Sequence, residues 1–596
     1  MQQRIFIDST IPLKNGQVFD GQGKILSGAK KLCHIHEEEG VFVCDLNKEK
    51  ISPKPMSQRG FFQPTNKAHS ELFEEDTPLN LSIFPKNKPL CIKDVEMPFP
   101  NDGLAPDNSG RPEYGFYLDT NEIGHISPDQ EIWAHGFWLW DWADTHNKLS
   151  IFDPKTGYVK IDNLETKITT PKVFGYKIGQ RVWLENAKEG VTDAGDYCID
   201  FPKNQVRFIP KQSGRDYYLS LTEVCFDLEN LQDVVIENCT ITAFVVNAIR
   251  IKNCKNVVIR NCKIFNVGCT AIEVDHSQGI VVDNCEIFHT GNNGIKMTAC
   301  GSRRTLDSGD CCIKNCHMYD IGCFCRTYAP PIQCVGVGFT IDNNVIHDCP
   351  HMAIQYTVND IKITNNVIYR VLYETGDAGA IYSGRDMTFR GNEISDNLIC
   401  LTGGVGFGTM GIYNDDGLSG TKIERNVFYK VQRAVFLGGG IDFKVKNNLF
   451  VSCNPAIETD ARLILHKDVL ASHYLQTNKN RFYSIETYDP EDTKQGLSAI
   501  DEPYISRYPE LKKLHERFSS TKDLPKIFPN GEINDNVIFG KDLSFTWGLS
   551  GQDFFDNFIY KNNANVIYQE DIEKFVNKTQ YEKYLLALKL ENETTK

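Results

Sequence analysis

The chain has 596 residues, 41% of them hydrophobic, with 78 acidic against 64 basic residues and a formal net charge of −14. This acidic balance, without clustered Lys and Arg, disfavours nucleic acid and anionic membranes as partners, and no apolar run approaches the ~18 residues of a membrane span. The opening MQQRIFIDSTIPLKNGQ has no basic stretch followed by an apolar one, so the sequence as written predicts a cytoplasmic protein, and a secreted or periplasmic one if its N-terminus is incomplete.

Residues 1–215 are rich in short strand-like runs, Pro and Asn, and predict an N-terminal β-rich, sandwich-like domain. Within it, EIWAHGFWLWDWAD (131–144) holds four of the six Trp residues. Its alternation predicts a strand packing large rings into a small core. The competing reading is an aromatic wall over a sugar site.

Residues 216–465 carry a repeat. Cys239, Cys262, Cys285, Cys316, Asn344, Asn366, Asn392, Asn426 and Asn448 each sit second in a four-residue phrase such as NCTI, NNVI or NNLF, at steps of 23, 23, 31, 28, 22, 26, 34 and 22 residues. A period near 22–23 with β-branched content predicts an all-β solenoid, a parallel β-helix. Six residues earlier runs a column of Asp233, Asn256, Gly279, Asp310, Gly338, Asp360, Asp386, Gly420 and Asp442. Residues of these types tolerate left-handed backbone geometry and predict a turn, which assigns Asp386 and Asp442 a structural role.

A third column, from Ala248-Ile249 through Ala380-Ile381 and Gly411-Ile412 to Ala456-Ile457, predicts a strand with Ile inward. Alternation then turns Arg250, Glu273, Lys296, Gln355, Tyr382, Tyr413 and Glu458 outward, with Asp275, Asp415 and Asp460 two positions further on.

Residues 466–596 predict C-terminal helices, at ISRYPELKKLHERF and FVNKTQYEKYLLALKLENE, with further coils at Asn536 and Asn557. The 20 Cys read as free thiols. Four fill the repeat column, although coils ~4.8 Å apart leave oxidation geometrically open. The cluster Cys311, Cys312, Cys316, Cys323, Cys325 and Cys334 lacks paired CxxC spacing and reads as packing, so no metal ligand is assigned.

The longer steps fall between Cys285 and Asn426. Two inserted segments there, ETGDAGAIYSGRD (374–386) and GGVGFGTMGIYNDDGLSG (403–420), carry acids outside the turn column: Asp377, Asp415 and Asp416. Carboxylates on neighbouring coils suit glycosidic cleavage, in which one acid protonates the leaving oxygen and another serves as nucleophile or activates water. Tyr382, Tyr413, Arg385, Gln355, Glu374 and Glu458 are the candidate substrate-binding residues. His347 and His351 flank the Asn344 coil and read as packing residues. A lyase reading of the same fold would use Arg385 or Lys296 as base and Asp275, Asp415 and Asp460 for Ca²⁺. Only that reading implies a cofactor. A non-catalytic glycan-binding β-helix is the third alternative.

At these loops the chain resembles right-handed parallel β-helix enzymes related to glycoside hydrolase family 141. The resemblance runs through HSELFEEDTPLNLSIFPKN (69–87), IWAHGFWLWDWAD (132–144), GYKIGQRVWLENAKEGVTDAGDYCIDFPKNQVRFIP (175–210), GDAGAIYSGRDMTFRGN, GIYNDDGLSGTKIERNVF, AVFLGGGIDFKVKNNLFVSCNPAIETDAR and PYISRYPELKKL. It implies a right-handed solenoid and a glycosidase, α-L-fucosidase- or xylanase-like, acting on a plant-type or microbial oligo- or polysaccharide. Its two Asp residues match Asp377 in GDAGAIY and either Asp415 or Asp416 in YNDDG; strand alternation favours Asp415. The chain departs from the pattern at ENAKEGVTDAGDY and at Ala378.

Overall fold

A computed structural model describes residues 3–61, 67–96, 115–162, 176–464, 469–520 and 524–594. The chain is mostly β. Three long parallel sheets of 13, 12 and 12 strands form a β-helix, joined to an antiparallel N-terminal region and C-terminal helices.

The apolar columns make the core. Ile249, Ile272, Ile295, Ile332, Ile354, Ile381, Ile412, Val435 and Ile457 pair in register from coil to coil. All are essentially inaccessible to solvent, and burying each such side chain stabilises the fold by roughly 1.5–3 kcal/mol. Ile332 and Val435 belong to this row although Pro331 breaks the small-residue pattern before the first and Val replaces Ile in the second.

The Cys column is packed inside, and all twenty cysteines are free thiols. From Cys316 onward Asn takes over. Each Asn side-chain oxygen accepts the backbone N–H of the previous coil's column residue, and each side-chain amide donates to the next Asn and to a strand carbonyl: Asn344 donates to Asn366 Oδ1 at 2.9 Å and to the Ile313 carbonyl at 3.0 Å. This ladder continues through Asn397, Asn426, Asn448 and Asn536 to Asn563.

Two predicted positions are therefore corrected. Asn392 is not on the ladder; it caps the strand Glu393–Ser395 in the neighbouring sheet, and Asn397 of SDNLIC holds the ladder place. In the tail Asn536 is in register. Asn557 instead ends a short helix, and Asn563 supplies the next rung.

The slip at Asn392 also moves the turn column. Its member in that coil is Gly391 (φ +75°), where a Cβ would strike Asp360; Asp386 lies outside that column and opens a separate turn, its carboxylate accepting the Thr388 N–H at 2.8 Å and its carbonyl the Phe389 N–H at 3.4 Å. It is fully buried beside Arg303, which reaches Asp386 at 3.4 Å, Asn359 at 3.0 Å and Thr388 at 2.8 Å, all without solvent contact. Asp442 keeps its turn position, with φ +61°.

Residues 4–6 and 25–27 pair in parallel with the solenoid strand Thr240–Phe244, directly or in series, and residues 18–20 pair with Val235–Glu237. The chain then leaves the solenoid at Ala29, which pairs antiparallel with Ser220 where it returns. The antiparallel sheets between carry the Trp-rich run. Only Trp133–Gly136 of that run is strand; Trp133 and Trp138 are buried, and residues 137–144 form a loop that turns Trp140 and Trp142 towards the solenoid.

The C-terminal segment contains the helices Val469–Tyr483, Leu511–Ser519 and Lys578–Thr594. The second and third match the sequence expectation. The first was not anticipated. No helix among the described residues is long and apolar enough to cross a membrane.

Candidate active site

Strands Ala378–Gly384 and Thr409–Asp415 lie side by side in one sheet, with Tyr382 against Tyr413 and Gly384 against Asp415. Their outward residues meet the three inserted acids. Asp377 precedes the first strand at φ +50° and Asp416 follows the second at φ +44°, left-handed positions that Asp tolerates. Two glycines make the close approach possible: a Cβ on Gly379 would lie 2.5 Å from the Tyr413 Cβ, and one on Gly384 would lie 2.8 Å from the Asp415 Cβ.

Each tyrosine serves a different acid. Tyr413 Oη donates to Asp377 Oδ1 at 3.2 Å, and Tyr382 Oη donates to Asp415 Oδ2 at 2.9 Å. Between the buried acids stands Arg462. Its Nη1 donates to Asp415 Oδ1 at 2.7 Å and to Asp416 Oδ1 at 2.5 Å, and its Nη2 lies 2.7 Å from Asp460. Arg385 Nε donates to Asp416 Oδ2 at 3.0 Å from a largely exposed side chain. The helix Val469–Tyr483 supports the turn from behind, where Asn478 donates to the Asp416 carbonyl at 2.8 Å.

These environments separate the acids electrostatically. Burial, with the Asp415 charge second, pushes Asp377 up to about 6. Burial also opposes ionisation of Asp415, but the Arg462 and Arg385 guanidiniums and the Tyr413 and Tyr382 hydroxyls outweigh it and hold that carboxyl below its usual range. Asp416 is raised, by burial and by the Asp415 charge beside it. Asp415 and Asp416 share one guanidinium and titrate as a pair.

The remaining candidates are placed as follows. Gln355 precedes Tyr382 by one coil in the outward stripe and accepts from Gln333 at 3.1 Å. Glu458 is buried in the same stripe, 3.5 Å from Arg433. Glu374 is held by Arg326 at 2.5 Å; that contact braces two loops. The acids of the lyase reading do not form an open set: Asp415 and Asp460 converge on Arg462, and Asp275 pairs with His276 at 2.8 Å.

Two contributors escaped the sequence reading, and a third belongs to the Trp-rich run whose competing reading was an aromatic wall. Arg462 continues the alternation of Glu458 and Asp460 by one more step, a signal that was present. Tyr328 packs edge-on to Tyr382 at 6.4 Å between ring centroids, and its backbone N–H donates to His351 Nδ1 at 3.0 Å. His351 thus seats this loop. Trp142 lies 6.3 Å from Tyr328, and Trp140 stacks on Trp142 at 6.2 Å. The loop of residues 137–144 therefore reaches the same aromatic group, and the Gly376 N–H donates to the Asp141 carbonyl at 3.3 Å.

A family model described as "Right handed beta helix region" matches residues 219–335 and 304–462. No curated protein matches the sequence. Similar solved structures include a glycoside hydrolase, 11% identical over 95% of this chain and 87% of that one with a TM-score of 0.49. They also include XylC in complex with xylose, 9% identical over 94% and 80% with a TM-score of 0.39. A third is the catalytic unit of a GH87 α-1,3-glucanase from Streptomyces thermodiastaticus, 9% identical over 89% and 97% with a TM-score of 0.26. Identities this low leave function to the geometry of the site. With its three parallel sheets and the matched region, the chain is a right-handed β-helix protein.

Proposed function

We propose that the protein is a carbohydrate-active enzyme that hydrolyses O-glycosidic bonds in an oligo- or polysaccharide. The observation that carries this reading is one pair of acids, Asp377 and Asp415, held on adjacent coils by the hydroxyls of two neighbouring tyrosines in environments that push their ionisation apart. Glycoside hydrolysis needs that division. Asp377 keeps its proton up to a pH of about 6 and delivers it to the leaving oxygen. Asp415 stays ionised under Arg462 and acts as nucleophile or as base for water. Asp416 shares Arg462 and tunes its neighbour. Trp142, Tyr328, Tyr382 and Tyr413 supply ring faces and edges for sugar contact, and Arg385 offers free guanidinium N–H groups at the rim.

The test is release of reducing ends from a panel of plant and microbial glycans by wild type, Asp377→Asn and Asp415→Asn. Product from wild type and its loss in both variants supports the reading. Equal product from all three removes it.

A further inference from the structure

Outside this site, two clusters of metal-ligating side chains stand out among the described residues: His135–Asp144–His146 and His289–Asp320–Cys323. The first is fully buried, but its imidazoles stack in parallel, 5° apart in orientation with centroids at 4.2 Å. A metal sits close to the plane of each ligating ring, and two parallel rings share no such point. Its polar atoms are also already engaged: Asp144 accepts from Thr327 N and Oγ1, Arg326 N and His135, and His146 reaches Glu185 and the Phe324 carbonyl. It is a hydrogen-bonded joint between the N-terminal region and the solenoid.

The second cluster is different. Asp320 Oδ2 lies 2.8 Å and Cys323 Sγ 3.4 Å from the same atom, His289 Nδ1. The thiol also reaches the Asp320 carbonyl at 3.0 Å; once the thiol is deprotonated, the three donor atoms, all within 4.8 Å of one another, share a focus that a cation can fill. We propose that His289 Nδ1, Asp320 Oδ2 and Cys323 Sγ bind a zinc ion, with the fourth position open to water. Zn–N and Zn–O bonds of about 2.0 Å and a Zn–S bond of about 2.3 Å place tetrahedral ligand atoms about 3.3 Å (N to O) and about 3.5 Å (N to S) apart. The sulfur already stands at that separation, and the carboxylate needs to open by about half an ångström. Imidazole and thiolate together select a borderline-soft ion over Ca²⁺ or Mg²⁺.

The frame is rigid. His289 and Asp320 occupy equivalent left-handed positions on adjacent coils, at φ +49° and +51°. The Cys323 N–H is fixed to the Thr290 carbonyl at 2.9 Å, and Cys325 N–H to Gly291 at 2.8 Å. The side chain of Asp320 is 51% exposed, which leaves an entry path. Zinc here pins the segment that runs on through Arg326 and Thr327 to Tyr328, and so anchors the loop that carries an aromatic ring to the acid site.

The test is titration of the reduced, full-length chain with Co²⁺, followed by the cobalt–thiolate charge-transfer band and by displacement with Zn²⁺. One equivalent per chain is expected, with the band lost in Cys323→Ser and affinity at least about tenfold weaker in His289→Ala and Asp320→Asn. The double variant Cys33→Ser/Cys91→Ser, which removes exposed thiols, should bind as wild type does. Circular dichroism checks each fold, and Asp320→Asn, altered at an exposed side chain, stands in if Cys323→Ser misfolds. No band in wild type, a band persisting in Cys323→Ser, or full affinity in Asp320→Asn overturns the proposal.

Discussion

Tyr382 and Tyr413 stand opposite each other on adjacent parallel strands, 5.5 Å apart and edge to face, yet their hydroxyls go to different carboxylates. The same pair of rings thus fixes the positions of Asp415 and Asp377 relative to one sheet. Their separation in protonation follows from the guanidiniums: Arg462 bonds Asp415 directly, whereas at Asp377 burial and the Asp415 charge outweigh its pull.

Replacing Asp377 by Asn removes the acid while keeping shape and one carbonyl acceptor. The turnover of any glycoside that the wild type cleaves should fall by about 10²–10⁴-fold, with the melting temperature unchanged. Steady-state kinetics beside a thermal melt measures both. Retained turnover excludes Asp377 as the acid.

The alkaline limb of activity should reflect Asp377. The acid works only while protonated, so with its pKa at about 6 the rate falls as pH rises past that value. The Tyr413 hydroxyl favours the ionised form. Tyr413→Phe removes that preference, raises the pKa and moves the limb to higher pH. A pH–kcat/KM profile of both proteins decides, and a limb that stays put or moves down contradicts the assignment.

Arg462→Met strips the countercharge from Asp415, Asp416 and Asp460 together. Breaking a buried pair in this way costs roughly 3–5 kcal/mol. In the wild type the lowered pKa of Asp415 contributes stability above its unfolded value of about 3.9 and loses it as pH falls through the folded pKa. In the variant Asp415 loses that lowering and Asp416 and Asp460, already raised in the wild type, rise further, so the native state binds more protons and stability drops more steeply as pH rises past about 4. Urea unfolding should therefore show a larger deficit at pH 8 than at pH 5. A deficit independent of pH would point instead to lost stacking of the Arg462 guanidinium over the Phe436 and Trp547 rings, 5.4 and 5.2 Å from their centroids.

Asp386 gives the opposite pattern to Asp377. Its carboxylate neutralises Arg303 inside the protein, so Asp386→Ala should destabilise by roughly 3–5 kcal/mol. Activity per folded molecule should hold. Chemical denaturation together with active-site-normalised rates separates the two effects.

The solenoid was legible because its columns obey local rules: small apolar or amide side chains inside, left-handed residues at turns, Ile alternating inward. The error at Asn392 has a physical origin. GNEI and DNLI start five residues apart, each opens a strand in a different sheet, and an insertion had already shifted the count. The strand pairing and the ladder hydrogen bond from Asn366 to Asn397 distinguish them. Asp377, Asp415 and Tyr382 were visible through register. Tyr328 was not, because it comes from a distant coil and reaches Tyr382 only in three dimensions; Trp142 lay in the Trp-rich run, where the aromatic-wall reading stood second to a packed strand. Arg462 was within reach, two residues beyond an acid already placed outward.

The pairing of Ala29 with Ser220 has one more consequence. The segment that carries Trp142 is a guest inserted into a host solenoid, entering and leaving through neighbouring residues. Two tethers at one doorway forbid the swing that a single linker would allow, so Trp142 is delivered to Tyr328, the neighbour of Tyr382, as a fixed lintel. The same doorway makes the guest separable. Joining Ala29 to Ser220 through a short turn excises it without opening a gap between the first strands and the next coil. Such a chain would keep the host's coils and lose the overhang, turning the contribution of the aromatic wall into a quantity obtained by subtraction.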